Sequence, residues 1–199
     1  MSERPYHHGN LRSALLEQAE RTVRERGVDA LSLRELARDV GVSHGAPRRH
    51  FADRQALLDA LAETGFARLG AELRAAADAA GEDFMARMHA TGATYVRFAT
   101  DDAALLELMF ASKRRESSGV LHAAADRSLA VLLELIRQGQ AEGALDPGDP
   151  ERIGLMLFAT LQGIAALVTA GIVPAEQRDD LLADAIDHFV SPVAASRRT

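Results

Sequence analysis

The chain has 199 residues, of which 47% are hydrophobic and 26% are charged, and this globular composition favours helices because no segment alternates as a strand would. It contains no cysteine, which excludes disulfides and thiolate metal sites and suits a reducing compartment. Its net charge of −6 excludes a uniformly basic nucleic-acid binder, but residues 1–60 hold ten arginines against nine acidic residues, so the acidic excess lies in residues 61–199.

The first predicted helix follows a polar arm, residues 1–9. The arm lacks the apolar core of a signal peptide, so we expect a cytoplasmic protein that is not exported. Asn10 is a suitable N-cap, and apolar residues at helical spacing follow from Leu11 to Val23. Gly27 ends this helix near residue 26.

The stretch Ser32 to Arg54, SLRELARDVGVSHGAPRRHFADR, predicts two short helices joined by a tight turn. Ser32 and Glu35 have the spacing of a capping box, in which each side chain bonds the other residue's backbone N–H. Gly41 stands where a helix ends in a left-handed residue. The pattern is typical of a helix-turn-helix, with Ser43 to His50 as the recognition helix.

The side chains of this stretch favour contact with double-stranded DNA. Arginine binds phosphate and the acceptor edge of guanine with two hydrogen bonds, and we expect Arg34, Arg48 and Arg49 to reach base edges or nearby phosphates. Pro47 lacks a backbone N–H, so the first turn is expected to be distorted. An ordinary helical hairpin with solvated arginines is the alternative. The predicted DNA-binding residues are Ser32, Arg34, Ser43, His44, Gly45, Arg48, Arg49, His50 and Arg54.

Residues 6–61, YHHGNLRSALLEQAERTVRERGVDALSLRELARDVGVSHGAPRRHFADRQALLDAL, resemble the N-terminal domain of TetR-family transcriptional regulators. The resemblance implies a three-helix DNA-binding domain in a regulator that usually releases DNA when a small molecule binds its body. This sequence departs from the family at two positions: Arg48 stands where an aromatic residue is usual, and Arg54 stands where a lysine is usual. Arg54 keeps the phosphate-binding charge. Arg48 changes the contact, so the operator preference of relatives is not carried over.

Four more helices are predicted before residue 150. In the fourth helix of the chain, which Asp53 caps, Gly65 and Gly70 favour close packing over a bend. A polar loop is predicted at residues 113–119. The four helices run from Asp53 to about Ala80, from about Asp83 to Thr100, over AALLELMFAS, and from Val120 to Glu142.

Two apolar helices close the chain. The first starts at Pro150, and no charged residue lies between Arg152 and Glu176. Its length would allow a membrane span, but its polar residues and acidic flanks argue against one. A soluble helix that is apolar all round must be buried all round, so we expect a homodimer with a four-helix bundle. The predicted interface, shared with a last helix from Pro174 to Phe189, is Leu157, Leu161, Ile164, Leu167, Val168, Leu181, Leu182, Ala185, Ile186 and Phe189.

A second resemblance covers part of the body. LFATLQGIAAL, residues 157–167, is similar to the W-x-x-x-H-G signature of one TetR subgroup, with Phe158 and Gln162 in place of Trp and His, and FATDDAALLELMF, residues 98–110, fits the same subgroup. Soft and aromatic side chains favour a pocket for a small-molecule effector among the fourth to eighth helices, although each residue could be ordinary core. The predicted lining is Met85, Met88, His89, Tyr95, Phe98, Met109, Phe110, Phe158 and Gln162.

The sequence therefore predicts an all-α protein of about nine helices. Residues 1–54 are expected to be the helix-turn-helix DNA-binding domain, and residues 55–199 the helical ligand-binding and dimerisation domain. No motif indicates catalytic residues, a metal site or a cofactor. We expect a homodimeric, ligand-responsive transcriptional repressor that binds a pseudo-palindromic operator and no membrane. The alternative is a helical small-molecule-binding protein or enzyme with a non-functional helix-turn-helix head.

Overall fold

The computed structural model describes residues 11–114 and 119–190, and in these two ranges the chain is helical and has no strand. The predicted all-α class is confirmed. The N-terminal arm with its cap Asn10, and most of the predicted loop at 113–119, lie outside the described residues. The α-helices are α1 (Leu11–Arg26), α2 (Leu33–Val40), α3 (Arg54–Ala79), α4 (Phe84–Asp101), α5 (Ala103–Arg114), α6 (Gly119–Ala141), α7 (Pro150–Thr169) and α8 (Arg178–Val190), with short 3₁₀ helices at Val28–Ala30, Pro47–Arg49 and Ala175–Gln177.

Side-chain caps and one glycine set several helix ends, as the sequence predicts. Asp53 and Asp83 each accept a hydrogen bond from the backbone N–H three residues on, at 2.8 and 2.7 Å. Gly41 ends α2 in the left-handed region, with φ of 77°. Ser32 holds the N-cap position of α2, but its side chain makes no capping hydrogen bond. The predicted capping box with Glu35 is therefore wrong, and the Ser32 hydroxyl is not used by its own helix.

The chain divides into two compact units. Of the described residues, the head unit comprises 11–65, 104–114 and 119–122, and the body unit comprises 66–103 and 123–190. The boundaries fall inside α3, α5 and α6. The predicted division at residue 54 assigns functions to segments, and it stays a prediction.

In the head unit, α1 and α2 pack on each other. Leu15, Leu36 and Leu57 are fully buried there. A Cβ added to Gly65 would lie 2.7 Å from the Met109 Sδ, so a side chain at this position would collide with α5. The close packing predicted at this glycine is confirmed.

In the body unit, α4 packs against both α7 and α8. A Cβ on Gly92 would lie 2.8 Å from the Ile186 Cδ1 and 3.5 Å from the Leu161 Cδ2, so the missing side chain lets both helices approach α4. A Cβ on Gly70 would lie 3.0 Å from the Ser128 Cα, which confirms close packing at the second predicted glycine as well.

Candidate nucleic-acid interface and effector site

The segment after α2, predicted as an α-helical recognition element, is a series of turns with one short 3₁₀ helix. The Ala46 N–H donates to the Ser43 carbonyl at 2.9 Å, and the Arg49 N–H donates to the Ala46 carbonyl at 3.2 Å, both three residues back. Pro47 has no N–H to donate to Ser43, and a proline ring crowds the carbonyl four residues earlier. The expected distortion at Pro47 is present, and the regular recognition helix from Ser43 to His50 is a wrong prediction. We call residues 43–50 the recognition segment.

Two buried residues anchor the recognition segment to the head unit. Pro47 and Phe51 are both buried, and the Phe51 N–H donates to the Pro47 carbonyl at 2.9 Å. The Arg12 guanidinium carbon lies 5.5 Å from the centre of the Phe51 ring, a cation–π distance. With these residues turned inward, Arg48, Arg49 and His50 between them are exposed.

Eight of the nine predicted DNA-binding residues are exposed, and Ser32 is half-buried. Among the described residues, the guanidinium groups of Arg34, Arg48 and Arg49 form no hydrogen bond or ion pair with another side chain or backbone group. By contrast, the neighbouring Arg38 lies 3.5 Å from Asp39. The head unit thus presents three arginines whose charge its own acidic residues do not neutralise, which is the arrangement that a polyanion needs.

Arg54 differs from the other predicted DNA-binding residues because its guanidinium is bound within the head unit. Its Nε donates to the Leu31 carbonyl at 3.0 Å and its Nη2 donates to the Val28 carbonyl at 2.7 Å. These carbonyls belong to the connection between α1 and α2. Arg54 therefore joins that connection to the start of α3, a role that sequence reasoning missed because the partners are 23 and 26 residues away.

The predicted pocket residues are divided between the two units. Met109 and Phe110 belong to the head unit, and the other seven belong to the body unit. In the body unit the Tyr95 and Phe158 rings meet edge to face, with centroids 5.6 Å apart and planes at 66°. The ring of His89 is partly exposed and lies 2.9 Å from an Asp187 carboxylate oxygen, so it is part of a surface pair between α4 and α8.

A cavity of about 400 Å³ lies between α3 and α4 in the body unit, and Phe98 is the predicted pocket residue that lines it. The Arg68 guanidinium carbon lies 4.6 Å from the Phe98 ring centre, and its Nη2 is 2.6 Å from an Asp102 carboxylate oxygen. A second cavity, of about 320 Å³, lies beside the end of α8. The first is lined by Glu72, Ala75, Thr94, Arg97, Phe98, Asp101 and Asp102, and the second by Leu145, Asp146, Ile153, Met156, His188, Phe189 and Val190.

Half of the predicted dimer-interface residues belong to the body unit's own core. They are the inner face of α7 and α8 that converges on α4 near Gly92, and they are not available to a second copy. The sequence could not indicate this, because a helix that is apolar all round carries no periodicity to tell its inner from its outer face. The five buried residues are Leu157, Leu161, Ile164, Leu182 and Ile186.

The opposite side of α7 is an exposed apolar stripe, which the sequence did not distinguish. Leu155 and Met156 are 66% and 57% exposed, and Leu167 is 39% exposed. By length and composition α7 could cross a membrane, with a mean hydropathy of 1.6, and only 22% of that window is buried. The stripe consists of Leu155, Met156, Ala159, Gly163, Ala166 and Leu167, which recur at the helical spacing.

Among the described residues, no three His, Cys, Asp or Glu side chains are grouped so that they could hold a metal ion.

Two family models match the chain. That of the bacterial regulatory proteins of the tetR family matches residues 15–61, and that of the Tetracyclin repressor-like C-terminal domain matches residues 88–189. Comparison with curated proteins finds no match.

Solved structures match over nearly the whole chain. A protein of unknown function from Rhodococcus sp. RHA1 is 45% identical, with a TM-score of 0.87, over 94% of this chain and 97% of that one. A putative TetR-family transcriptional regulator from Rhodococcus sp. is 22% identical, with a TM-score of 0.71, over 90% and 98% of the two chains. A putative transcriptional regulator from Pseudomonas aeruginosa PAO1 is also 22% identical, with a TM-score of 0.73, over 96% and 93%. At 22% identity the last two show a shared fold alone.

Proposed function

The chain belongs to the TetR family of transcriptional regulators, and from that premise we propose that it is a homodimeric repressor released from its operator by a small molecule. The observation that carries the proposal is the set of exposed, unneutralised arginines in the head unit: Arg34 on α2, and Arg48 and Arg49 in the recognition segment. Charges at the contact surface determine attraction to DNA, so the total charge of −6 does not oppose it.

The predicted DNA-binding residues have two roles in this proposal. Arg34, Arg48 and Arg49 reach base edges or the phosphates next to them, which gives sequence preference. Contacts to the DNA backbone are made by Ser32, Ser43, His44, Gly45 and His50. Arg54 uses two of its N–H groups on carbonyls of the head unit, so it supplies its charge and its remaining donors to a phosphate.

A second copy of the chain covers the exposed stripe of α7. The centre of the stripe is small, with Ala159, Gly163 and Ala166, and an added Cβ at Gly163 meets nothing within 4 Å. Small residues at the centre and larger ones at the ends let two helices approach closely about a two-fold axis. We favour a protein partner over lipid because half-buried Thr160 and Gln162 interrupt the apolar surface beside the stripe.

The dimer places two recognition segments against successive major grooves, roughly 34–36 Å apart, on a pseudo-palindromic operator. The effector binds the body unit and favours a body geometry in which the two segments no longer match this spacing. It releases the operator by shifting the population between two states. Regulation of this kind takes place in the cytoplasm, where the operator and the effector are both present.

A second candidate function rests on one observation, the short 3₁₀ helix in place of a regular recognition helix. If a head unit with this geometry does not fit a major groove, it does not bind DNA. The chain would then be a helical small-molecule-binding protein or an enzyme.

Recovery of genomic DNA with the purified protein, followed by gel shifts, separates the two functions. The repressor is expected to bind a pseudo-palindromic fragment, to bind a single half-site much more weakly, and to lose affinity steeply as salt rises. Binding that is equally tight to the half-site would refute the dimeric operator. Absence of any salt-dependent duplex binding would favour the second candidate.

A further inference from the structure

Two buried hydroxyl groups lie one turn apart on α4, in the body unit. The side chains of Thr91 and Tyr95 are both 0% exposed. Within the described residues, neither the Thr91 Oγ1 nor the Tyr95 hydroxyl oxygen has a hydrogen-bond partner. A buried hydroxyl without a partner destabilises the folded state, and most such groups in proteins are paired. Two of them in one place therefore point to a ligand that pairs with them.

Thr91 lacks a hydrogen bond that several other helical threonines make. A helical threonine normally donates its hydroxyl to the carbonyl one turn back, which satisfies the group at no cost in packing. Thr91 has the same helical backbone around it but does not make this bond, so its buried hydroxyl is left without a partner. Four others do make it, at 2.9–3.0 Å: Thr22, Thr64, Thr100 and Thr160.

The two hydroxyls share one face of α4. Residues four apart on a helix lie above one another, and long side chains lean towards the N-terminus, so the Tyr95 ring extends over the turn that carries Thr91. Burial raises the pKa of Tyr95, which keeps its hydroxyl protonated. Both groups are therefore neutral hydrogen-bond donors.

The surroundings of the pair are apolar. Met88 and Phe98 are buried on the same face, and the Phe158 ring packs against Tyr95. The guanidinium next to Phe98 is that of Arg68, which is already paired with the Asp102 carboxylate at 2.6 Å. A neutral carbonyl oxygen has two lone pairs for two donors, and it can be buried here at a lower desolvation cost than an anion.

A cavity of about 400 Å³ lies between α3 and α4, and neither Thr91 nor Tyr95 lines it. Phe98, three residues after Tyr95, does line it and separates the cavity from the pair. A volume of this size is within the range of small-molecule sites.

We propose that Thr91 and Tyr95 together bind the carbonyl oxygen of a neutral, mainly apolar small molecule, which enters through the cavity that Phe98 lines. The inference rests on the proposed effector control and names the chemical class of the effector, a ketone, ester, lactone or amide.

Thermal unfolding of the full chain with acetophenone and with ethylbenzene tests the proposal, because the two probes have similar size and differ in the carbonyl group. Acetophenone is expected to raise the Tm more than ethylbenzene does. In Tyr95→Phe and in Thr91→Val, which remove one hydroxyl each and keep the shape, the apparent Kd for acetophenone should rise about fivefold. Thr100→Val, on the same helix, removes a hydroxyl that already has a partner and should keep the wild-type preference.

Several outcomes would overturn the proposal. They are equal or absent Tm shifts with the two probes, an acetophenone preference that survives both variants, a larger shift with benzoate than with acetophenone, or variants that unfold at a lower Tm than the wild type without a probe. A gel shift of the wild type run alongside keeps the two proposals distinct. If the wild type binds the operator but shows no preference for acetophenone, only the hydroxyl pair is refuted. If it prefers acetophenone but does not bind an operator, only the repressor is refuted.

Discussion

The head unit and the body unit both present groups that the described chain leaves without a partner, and the two sets differ in kind. In the head unit they are exposed arginines, which water solvates fully while DNA is absent. In the body unit they are an exposed apolar stripe on α7 and two buried hydroxyls on α4, both of which destabilise the chain when they stay uncovered.

This difference separates permanent from reversible partners. An exposed charge costs little in the free protein, so DNA can come and go. An apolar stripe with side chains up to 66% exposed favours a partner that remains bound, and the partner we propose is a second copy of the chain. The buried hydroxyls are intermediate: their cost without a ligand adds to the gain when a ligand binds, and this gain is the free energy available for switching.

The largest effect is expected when the stripe is broken. In Ala159→Glu a charge is added at an exposed position, so the protomer keeps its fold, but the dimer would have to bury an unpaired carboxylate. We expect a monomer at micromolar concentration by sedimentation, and operator binding about 100-fold weaker or worse. Val120→Glu, at a 54% exposed apolar residue off the stripe, is the matched control and should stay dimeric. A dimeric Ala159→Glu would show that the stripe is not the interface.

The next effect is in the head unit, where a partnerless cation should matter for binding and not for folding. Arg49→Ala is expected to weaken operator binding by about 1–3 kcal/mol and to reduce the slope of affinity against salt by about one ion. The Tm should stay within a degree or so, because the side chain makes no contact that stabilises the fold. Arg127→Ala, an exposed arginine of the body unit, is the control in the same gel shift. Unchanged affinity in Arg49→Ala would remove this residue from the interface.

Arg54 sharpens the comparison because it is a head-unit cation that does have partners. Arg54→Met removes two hydrogen bonds to the Leu31 and Val28 carbonyls, so it should lower the free energy of unfolding by about 1 kcal/mol as well as weaken operator binding. Arg54→Lys keeps the charge but cannot bond both carbonyls with the same planar geometry, so it should lose part of the stability and keep most of the affinity. Urea unfolding and gel shifts of the two variants measure this separation. An Arg54→Met protein as stable as the wild type would mean that the two bonds contribute nothing.

The sequence predicted well what depends on local chemistry. The helix ends at Gly41, Asp53 and Asp83 lie where short-range capping rules place them, and close packing at Gly65 and Gly70 follows from the missing side chains. These features are decided within about one turn of the chain or by a single absent Cβ. The DNA-binding helix-turn-helix family was recognisable for the same reason, since its pattern is local.

What failed depends on distant partners or on competition between two local rules. In the recognition segment, Ser43 as an N-cap favours an α-helix, whereas Pro47 disrupts one. The segment forms a short 3₁₀ helix, so the effect of the proline is the larger. The inner face of α7 is decided by Gly92 on α4, more than 60 positions away in the sequence, and no periodicity within α7 reports it. Thr91 was overlooked because its hydroxyl is buried without a hydrogen-bond partner, which a sequence cannot show.

The smallest expected effect comes from an exposed ion pair, and it tests whether exposed charge contributes to the stability of the body unit. The Arg74 guanidinium bonds both oxygens of Glu134, at 2.5 and 3.1 Å, and this hydrogen bonding lowers the pKa of Glu134 below its ordinary value of 4.5. A carboxylate with a lowered pKa contributes stability above that value and loses it as the pH falls through the folded-state pKa. Because both side chains are about half exposed, water screens the pair, and its contribution at pH 7 should be about 0.5 kcal/mol or less.

Glu134→Gln is therefore expected to lower stability slightly at pH 7 and to make no difference once the pH lies below the folded-state pKa of Glu134. The decline of stability with falling pH should be flatter in the variant, measured by urea unfolding across the pH range. Asp184→Asn removes an exposed carboxylate of α8 that has no ion pair among the described residues, and it should leave the decline unchanged. If Glu134→Gln cost 2 kcal/mol or more at pH 7, exposed charge would stabilise the body unit after all. The two units would then differ only in the buried hydroxyls and the apolar stripe of the body unit, and not in the role of exposed charge.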